Sequence, residues 1–239
     1  MNRFWNSDEA RIKLKICNIR HIETALLLEE LGVDAIGIHI WKEDNLEQKI
    51  NEYKWLNYGN SLNISKWLLT DIYDFEVLNR IIPKFPVDTL QFQGYQEADV
   101  ITGLFERITN NIDPSIKLVK SVSAESEDIE AKKTYIKSLI DYCDAILFDT
   151  KWMGGTGVKN NPDNCRKLSA DINKPVIVAG GITSDNALEF INHVKPFAID
   201  VQSGVENLFT NLAGEKLRVK SLSKIQRLLE VIRNGRFCK

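Results

Sequence analysis

The stretches KPVIVAGGIT (174–183) and AIDVQSGVE (198–206) decide the fold. Each is a short apolar run of strand-like composition that ends in glycine: Gly180 and Gly181 in the first, Gly204 in the second. A strand interior needs no such backbone freedom, so each stretch reads as a strand followed by a tight, open turn. Runs of the same kind recur upstream as LKICNI (14–19), DAIGIHI (34–40), ISKWLLT (64–70), VDTLQFQ (87–93), IKLVKSV (116–122) and DAILFDT (144–150). With PVIVAGG (175–181) and PFAIDV (196–201), this makes eight strand candidates. Most are compact apolar runs rather than clean alternations, the pattern of strands covered on both faces.

Helix-patterned segments lie between them. HIETALLLEELG (21–32) has apolar residues at helical spacing and ends in Gly32, a natural C-cap. SDNALEFINHV (184–194) opens with Ser184 and Asp185 as N-cap candidates, and SLSKIQRLLEVIRNG (221–235) reads as a closing helix. Strands alternating with helices give either an open doubly wound sheet or a closed barrel. Repeat count and the 239-residue length favour a single α/β domain, a (β/α)8 TIM barrel over 14–239. Residues 1–13 read as an N-terminal extension.

Composition narrows the function. The net charge is -2 with both signs spread along the chain, which argues against a nucleic-acid partner. The start, MNRFWNSDEARIK, lacks the apolar core of a signal peptide, and eighteen apolar residues never run together, so no membrane partner is expected. Cys17, Cys143, Cys165 and Cys238 form no C-x-x-C pair and match no zinc spacing. They read as reduced thiols in a cytoplasmic protein.

Barrels of this kind bind ligands at the C-terminal ends of the strands, often with a phosphate held by the turns after strands seven and eight. Gly180 and Gly181 after strand seven, with Ser203 and Gly204 after strand eight, are therefore the expected phosphate site. The alternative is that these glycines serve tight turns alone. A third cluster, GGTG (154–157), is no P-loop and reads as a lid or a further ligand contact through Gly155. Cys17 near the end of strand one and Asp149 at the end of strand six would both point to the mouth. A thiolate can act as a base and a carboxylic acid can donate a proton. Taken one at a time, they read as structural, a small buried hydrophobe and a turn residue.

Together, LKICNI, LQFQG, LFDT, GGTG, AGGIT and DVQSGVE resemble the phosphoribosylanthranilate isomerase family. That family shows K-I-C-G-[IL], Q-L-H-G, D-[TS], G-G-T-G, A-G-G-[IL] and D-V-[SN]-S-G-V-E in the same order. The resemblance implies an isomerase of tryptophan biosynthesis. Its reaction is an Amadori rearrangement of N-(5-phosphoribosyl)anthranilate, a small phosphorylated sugar substrate, without metal or cofactor. It implies Asp149 as general acid and Cys17 as general base, with Lys15, on the same strand face, favouring the thiolate. Lys15, Lys42, Gln93, Gly155 and Asp200 become further substrate contacts.

Three positions depart from the family pattern. Asn18 stands for a glycine, Gln93 for the fourth-strand histidine, and HIWKEDNLEQK (39–49) for an S-P-R stretch whose arginine faces the anthranilate carboxylate. Lys42 would supply only a point charge in place of a bidentate fork. The departures leave open a different phosphoribosyl amine as substrate, or a non-catalytic barrel that binds a phosphorylated sugar.

Overall fold

The computed structural model describes residues 4–5, 11–58, 62–125, 128–150, 160–211 and 213–234. In chain order the elements are β1 (Lys13–Cys17), α1 (Ile22–Glu30), β2 (Ala35–His39), α2 (Leu46–Glu52), α3 (Trp55–Tyr58), β3 (Ser65–Thr70), α4 (Phe75–Ile81), β4 (Thr89–Phe92), α5 (Ala98–Asn111), β5 (Lys117–Ser123), α6 (Ile129–Leu139), β6 (Ala145–Asp149), α7 (Pro162–Ser169), β7 (Val176–Val178), α8 (Ala187–Val194), β8 (Ala198–Val201), β9 (Glu206–Thr210), β10 (Lys216–Lys220) and α9 (Leu222–Asn234). The first eight strands form a closed parallel barrel in sequence order. Closure is by β1 against β8, in a register that sets Lys15 beside Asp200. Each of the eight apolar runs read from the sequence contains one barrel strand, and β1 begins at Lys13, one residue earlier than expected.

Helices cover the outside. Ile101, Leu104, Phe105 and Ile108 of α5, and Ile225, Leu228, Leu229 and Ile232 of α9, are buried at spacings of three, one and three. That spacing lays one apolar stripe on the barrel. Asn45, Asp74 and Asn161 cap α2, α4 and α7 by accepting backbone N–H bonds. Gly32 ends α1 at φ +80°, as its position predicted. The expected caps of α8 are displaced. The helix starts at Ala187 after Asn186, and Ser184 and Asp185 lie outside it. Asn186 Oδ1 accepts from Thr183 N at 2.8 Å, and its Nδ2 donates to Gly181 O at 3.0 Å, so this side chain ties the β7 turn to the helix start.

Two features lay outside the sequence reading. Phe4 and Trp5, in the expected extension, belong to the aromatic cluster with Trp67 and Phe197. Phe4 is fully buried, with ring centroids 5.0 Å from Trp67 and 5.5 Å from Phe197. Trp5 stacks on Trp67 at 5.6 Å and donates from Nε1 to Thr89 Oγ1 at 2.9 Å. Thr89 opens β4, so the cluster packs at the N-terminal end of the barrel, away from the strand ends that bear the glycines. The second feature is the antiparallel hairpin β9–β10, which leaves the barrel after a 3₁₀ turn at Ser203–Val205.

Candidate active site

The site is built on strand alternation. Lys15 and Cys17 point inward on β1, and Asp200 points inward on β8 beside them. Lys15 Nζ donates to Asp200 Oδ2 at 2.8 Å and to Cys17 Sγ at 2.5 Å, while Cys17 Sγ lies 3.5 Å from the same carboxylate oxygen. Lys15 is fully buried, and its ammonium also lies 5.0 Å from the centre of the Trp67 ring. Gly37 of β2, the register partner of Cys17, leaves the room this cluster needs. A Cβ there would meet Cys17 Sγ at 2.9 Å and Leu69 Cδ1 at 3.0 Å.

Electrostatics set the protonation states. Burial alone would lower the Lys15 pKa, but the charges of Asp200 and Cys17 outweigh it and hold the lysine above its ordinary value. Cys17 is pushed up to about 12, first by burial and next by Asp200, with Lys15 opposing both. Lys15 works toward the thiolate, as expected of it, but burial and Asp200 together outweigh it. Lys15 is shared between the thiol and Asp200 Oδ2, 2.8 Å away. Asp149 rises to about 6, mainly through burial, while a 2.7 Å bond from Thr150 N to its Oδ1 works the other way. At that value the carboxyl is poised to donate a proton near neutral pH.

Cys17, Asp149 and Asp200 face one cavity of about 260 Å3 at the C-terminal mouth. Gly180, Gly181, Ser203 and Gly204 line the same cavity, so the two glycine turns and the two candidate proton-transfer groups are brought together. Gly180 has φ +89°, and a Cβ on it would run into Thr150 Oγ1; a Cβ on Gly204 would run into the carbonyl oxygen of Ile182. Bare backbone at these positions is what lets the turns close together. Gln93 also lines the cavity. Gly155 and the rest of GGTG lie outside the described residues.

Lys42 is not brought to the cavity. It is exposed, its backbone N–H is held by Asp71 Oδ1 at 2.7 Å, and Trp41 lines the wall instead. Alternation continues from Ala35, Gly37 and His39 to Trp41, so Lys42 faces away; the chain then turns, with Asp44 Oδ2 accepting from Trp41 N at 2.7 Å and Asp44 N donating to Trp41 O at 3.0 Å. Asn18, where the family pattern has glycine, sits at φ +62°. Asparagine is among the few side chains that tolerate this region, so the departure keeps the backbone turn after Cys17.

His39 lines the cavity as well, and the sequence reading passed over it inside an apolar run. Its place on the same strand face as Ala35 and Gly37 is the signal that would have found it. Burial, with Lys15 next and other cations behind it, pulls its pKa down to about 3, so the imidazole is neutral.

A closed (β/α)8 barrel with a buried thiol and a protonatable carboxyl facing one glycine-rimmed mouth has the architecture of a barrel enzyme, with its site at the C-terminal ends of the strands. The profile of the N-(5'phosphoribosyl)anthranilate (PRA) isomerase family matches residues 74–227, and the chain belongs to that family. The N-(5'-phosphoribosyl)anthranilate isomerase 2 of Methanosarcina mazei is 26% identical over 203 residues, spanning 82% of this chain and 86% of its own. The crystal structure of phosphoribosyl anthranilate isomerase from Thermus thermophilus superposes with a TM-score of 0.71 at 22% identity, covering 94% of this chain and 100% of its own. A solved structure of the isomerase in complex with reduced 1-(o-carboxyphenylamino)-1-deoxyribulose 5-phosphate has a TM-score of 0.68 at 19% identity, covering 93% of this chain and 99% of its own.

Proposed function

We propose that the protein catalyses the Amadori rearrangement of N-(5-phosphoribosyl)anthranilate to the 1-amino-1-deoxyribulose 5-phosphate product, with Asp149 as general acid and Cys17 as general base. The observation that carries the reading is that both groups face one cavity with the paired glycine turns. A purely binding barrel needs neither group. The turns at Gly180, Gly181, Ser203 and Gly204 hold the phosphate through backbone N–H groups.

With the phosphate held there, Asp149 gives its proton to the furanose ring oxygen. The C1–O bond breaks, and the nitrogen lone pair forms a protonated imine. Cys17 then takes the proton from C2, the C–H electrons form a C1–C2 double bond, and the imine π electrons return to nitrogen. The resulting enolamine gains a proton at C1 and loses one from the C2 hydroxyl to give the ketone. A thiol pushed up to about 12 is a poor proton acceptor at rest. The cationic imine is the charge that favours its thiolate, so once the ring has opened the thiol gives up its proton to solvent at the cavity mouth and becomes the base. Lys15 and Asp200 position Cys17 and keep the buried charges balanced.

The test is turnover of N-(5-phosphoribosyl)anthranilate by the purified protein, with Cys17→Ser and Asp149→Asn compared. Each variant is expected to lose roughly 10²–10⁴-fold in kcat. Absence of turnover by folded wild type rejects the substrate, and near-normal turnover in either variant rejects its assigned role. Growth of a tryptophan auxotroph lacking this isomerase, when supplied with the chain, is the cellular counterpart.

A further inference from the structure

The mechanism leaves two polar groups of the cavity unused. His39 Nε2 and Gln93 Oε1 are buried and have no hydrogen-bond partner, and both residues line the cavity. Gln93 is only 4% exposed. An orphaned polar atom costs about 1–3 kcal/mol when no ligand satisfies it, so two at one site point to a ligand. Strand order puts Gln93, after β4, across the barrel from the glycine turns after β7 and β8, and His39, at the end of β2, two strands beyond β8 on the way round to it. Trp41 stands beside His39, with ring centroids 5.2 Å apart, and supplies an aromatic surface at this end.

This is the end left for the aglycone once the phosphate, ring oxygen and C2 are placed as above, and the inference rests on that reading. We propose that His39 and Gln93 read the ortho substituent of the aryl amine through neutral hydrogen bonds, and that the enzyme isomerises phosphoribosyl aryl amines bearing an ortho-carboxamide as well as those bearing an ortho-carboxylate. A guanidinium fork would demand an anion. A neutral imidazole N–H meets a carbonyl oxygen of either substituent. The Gln93 side chain turned one way offers Oε1 to a carboxamide N–H, and turned the other way offers its NH2 to a carboxylate. Among the described residues lining the cavity there is no cation to enforce the anionic form. The bond changes at C1, C2 and the ring oxygen are identical for both substrates, so no further reactant enters.

The experiment condenses ribose 5-phosphate with anthranilate, 2-aminobenzamide or aniline and follows each glycosylamine with wild type, His39→Phe and Gln93→Leu. Wild type is expected to turn over the acid and the amide with kcat/KM within about tenfold of each other. Loss of one neutral bond, about 1 kcal/mol, corresponds to roughly fivefold in KM. Each variant should therefore raise KM about fivefold for the acid and the amide, with kcat little changed and no effect on the aniline substrate. A wild-type preference for the acid above about a hundredfold overturns the proposal, because a cation then reads the substituent. An equal loss on all three substrates overturns it in favour of contacts to the sugar hydroxyls. Turnover of the amide alone, with none of the acid, overturns the proposed anthranilate substrate while supporting neutral reading. Turnover of none of the three by folded wild type overturns both.

Discussion

Lys15 and Asp200 form a buried ion pair, 2.8 Å from Nζ to Oδ2, across the seam where the first strand meets the last. The pair closes the barrel and shares its lysine with the Cys17 thiol. Removing one partner of such a pair strands the other charge in the interior, at a cost of about 3–5 kcal/mol. Lys15→Met is therefore expected to lower unfolding stability by that amount in chemical denaturation. Lys15→Met with Asp200→Asn should recover most of it. A double variant no more stable than the single one would show that the pair is not what the lysine supports.

Asp149 gives a pH dependence of definite sign. Its native value of about 6 lies above the ordinary 3.8. Between those values the native state keeps a proton that the unfolded chain has lost, so stability falls as pH rises from about 4 to 6. Asp149→Asn removes this dependence and is expected to exceed wild type by up to about 3 kcal/mol above pH 7, from roughly two pKa units. Parallel urea titrations at pH 4 and pH 8 check it, and an unchanged difference between the two proteins would contradict it.

The same groups shape the rate profile. Catalysis needs Asp149 protonated, at about 6, and Cys17 ionised, at about 12. Above pH 6 the protonated acid falls as fast as the thiolate rises, so their product is level. Below pH 6 only the thiolate changes. kcat/KM is thus expected to climb with pH up to about 6 and then hold constant. A decline between pH 7 and 9 in initial-rate measurements would show that Cys17 ionises well below the value its burial dictates.

Gly204 carries the tightest backbone contact of the site. A methyl group there collides with Ile182 O, a backbone atom that no rotamer change can move aside. Gly204→Ala is expected to raise the Kd for a phosphorylated substrate analogue at least tenfold, measured by calorimetry, while a folded far-ultraviolet circular dichroism spectrum remains. Unchanged affinity would separate this turn from the phosphate.

At the N-terminal end, Phe4 is fully buried against Trp67 and Phe197. Truncating a buried phenylalanine typically costs about 3–5 kcal/mol. Phe4→Ala should destabilise by that amount in guanidinium titrations and leave KM near the wild-type value, because the change lies at the far end of the barrel. A stability loss below 1 kcal/mol would mean that the cluster closes without it.

The barrel was legible because a strand buried on both faces must be apolar throughout, and all eight such runs stand out from helices with an apolar stripe. The glycines were legible through turn chemistry, and the positions of Cys17 and Asp149 through their place at strand ends, but the roles of those two came only with the family resemblance. Lys42 was misplaced because the family resemblance, and not the strand, put it at the mouth; alternation from Ala35, Gly37 and His39 carries on to Trp41 and turns Lys42 outward. His39 was hidden because one imidazole among isoleucines does not alter an apolar run. The β9–β10 hairpin left no signal either, since its strands expose Leu208, Phe209, Leu217 and Val219 and match neither the buried nor the amphipathic template. Phe4 and Trp5 had no local pattern at all, because what holds them lies far away in the sequence.

That separation bears on the order in which the molecule assembles. Phe4 leaves the ribosome nearly two hundred residues before its partner Phe197. Until then the leading aromatics have only part of their eventual seat, in Trp67 and Thr89. A segment made early is thus locked in place late. A fusion partner attached ahead of Phe4 would burden the final step of folding rather than the first.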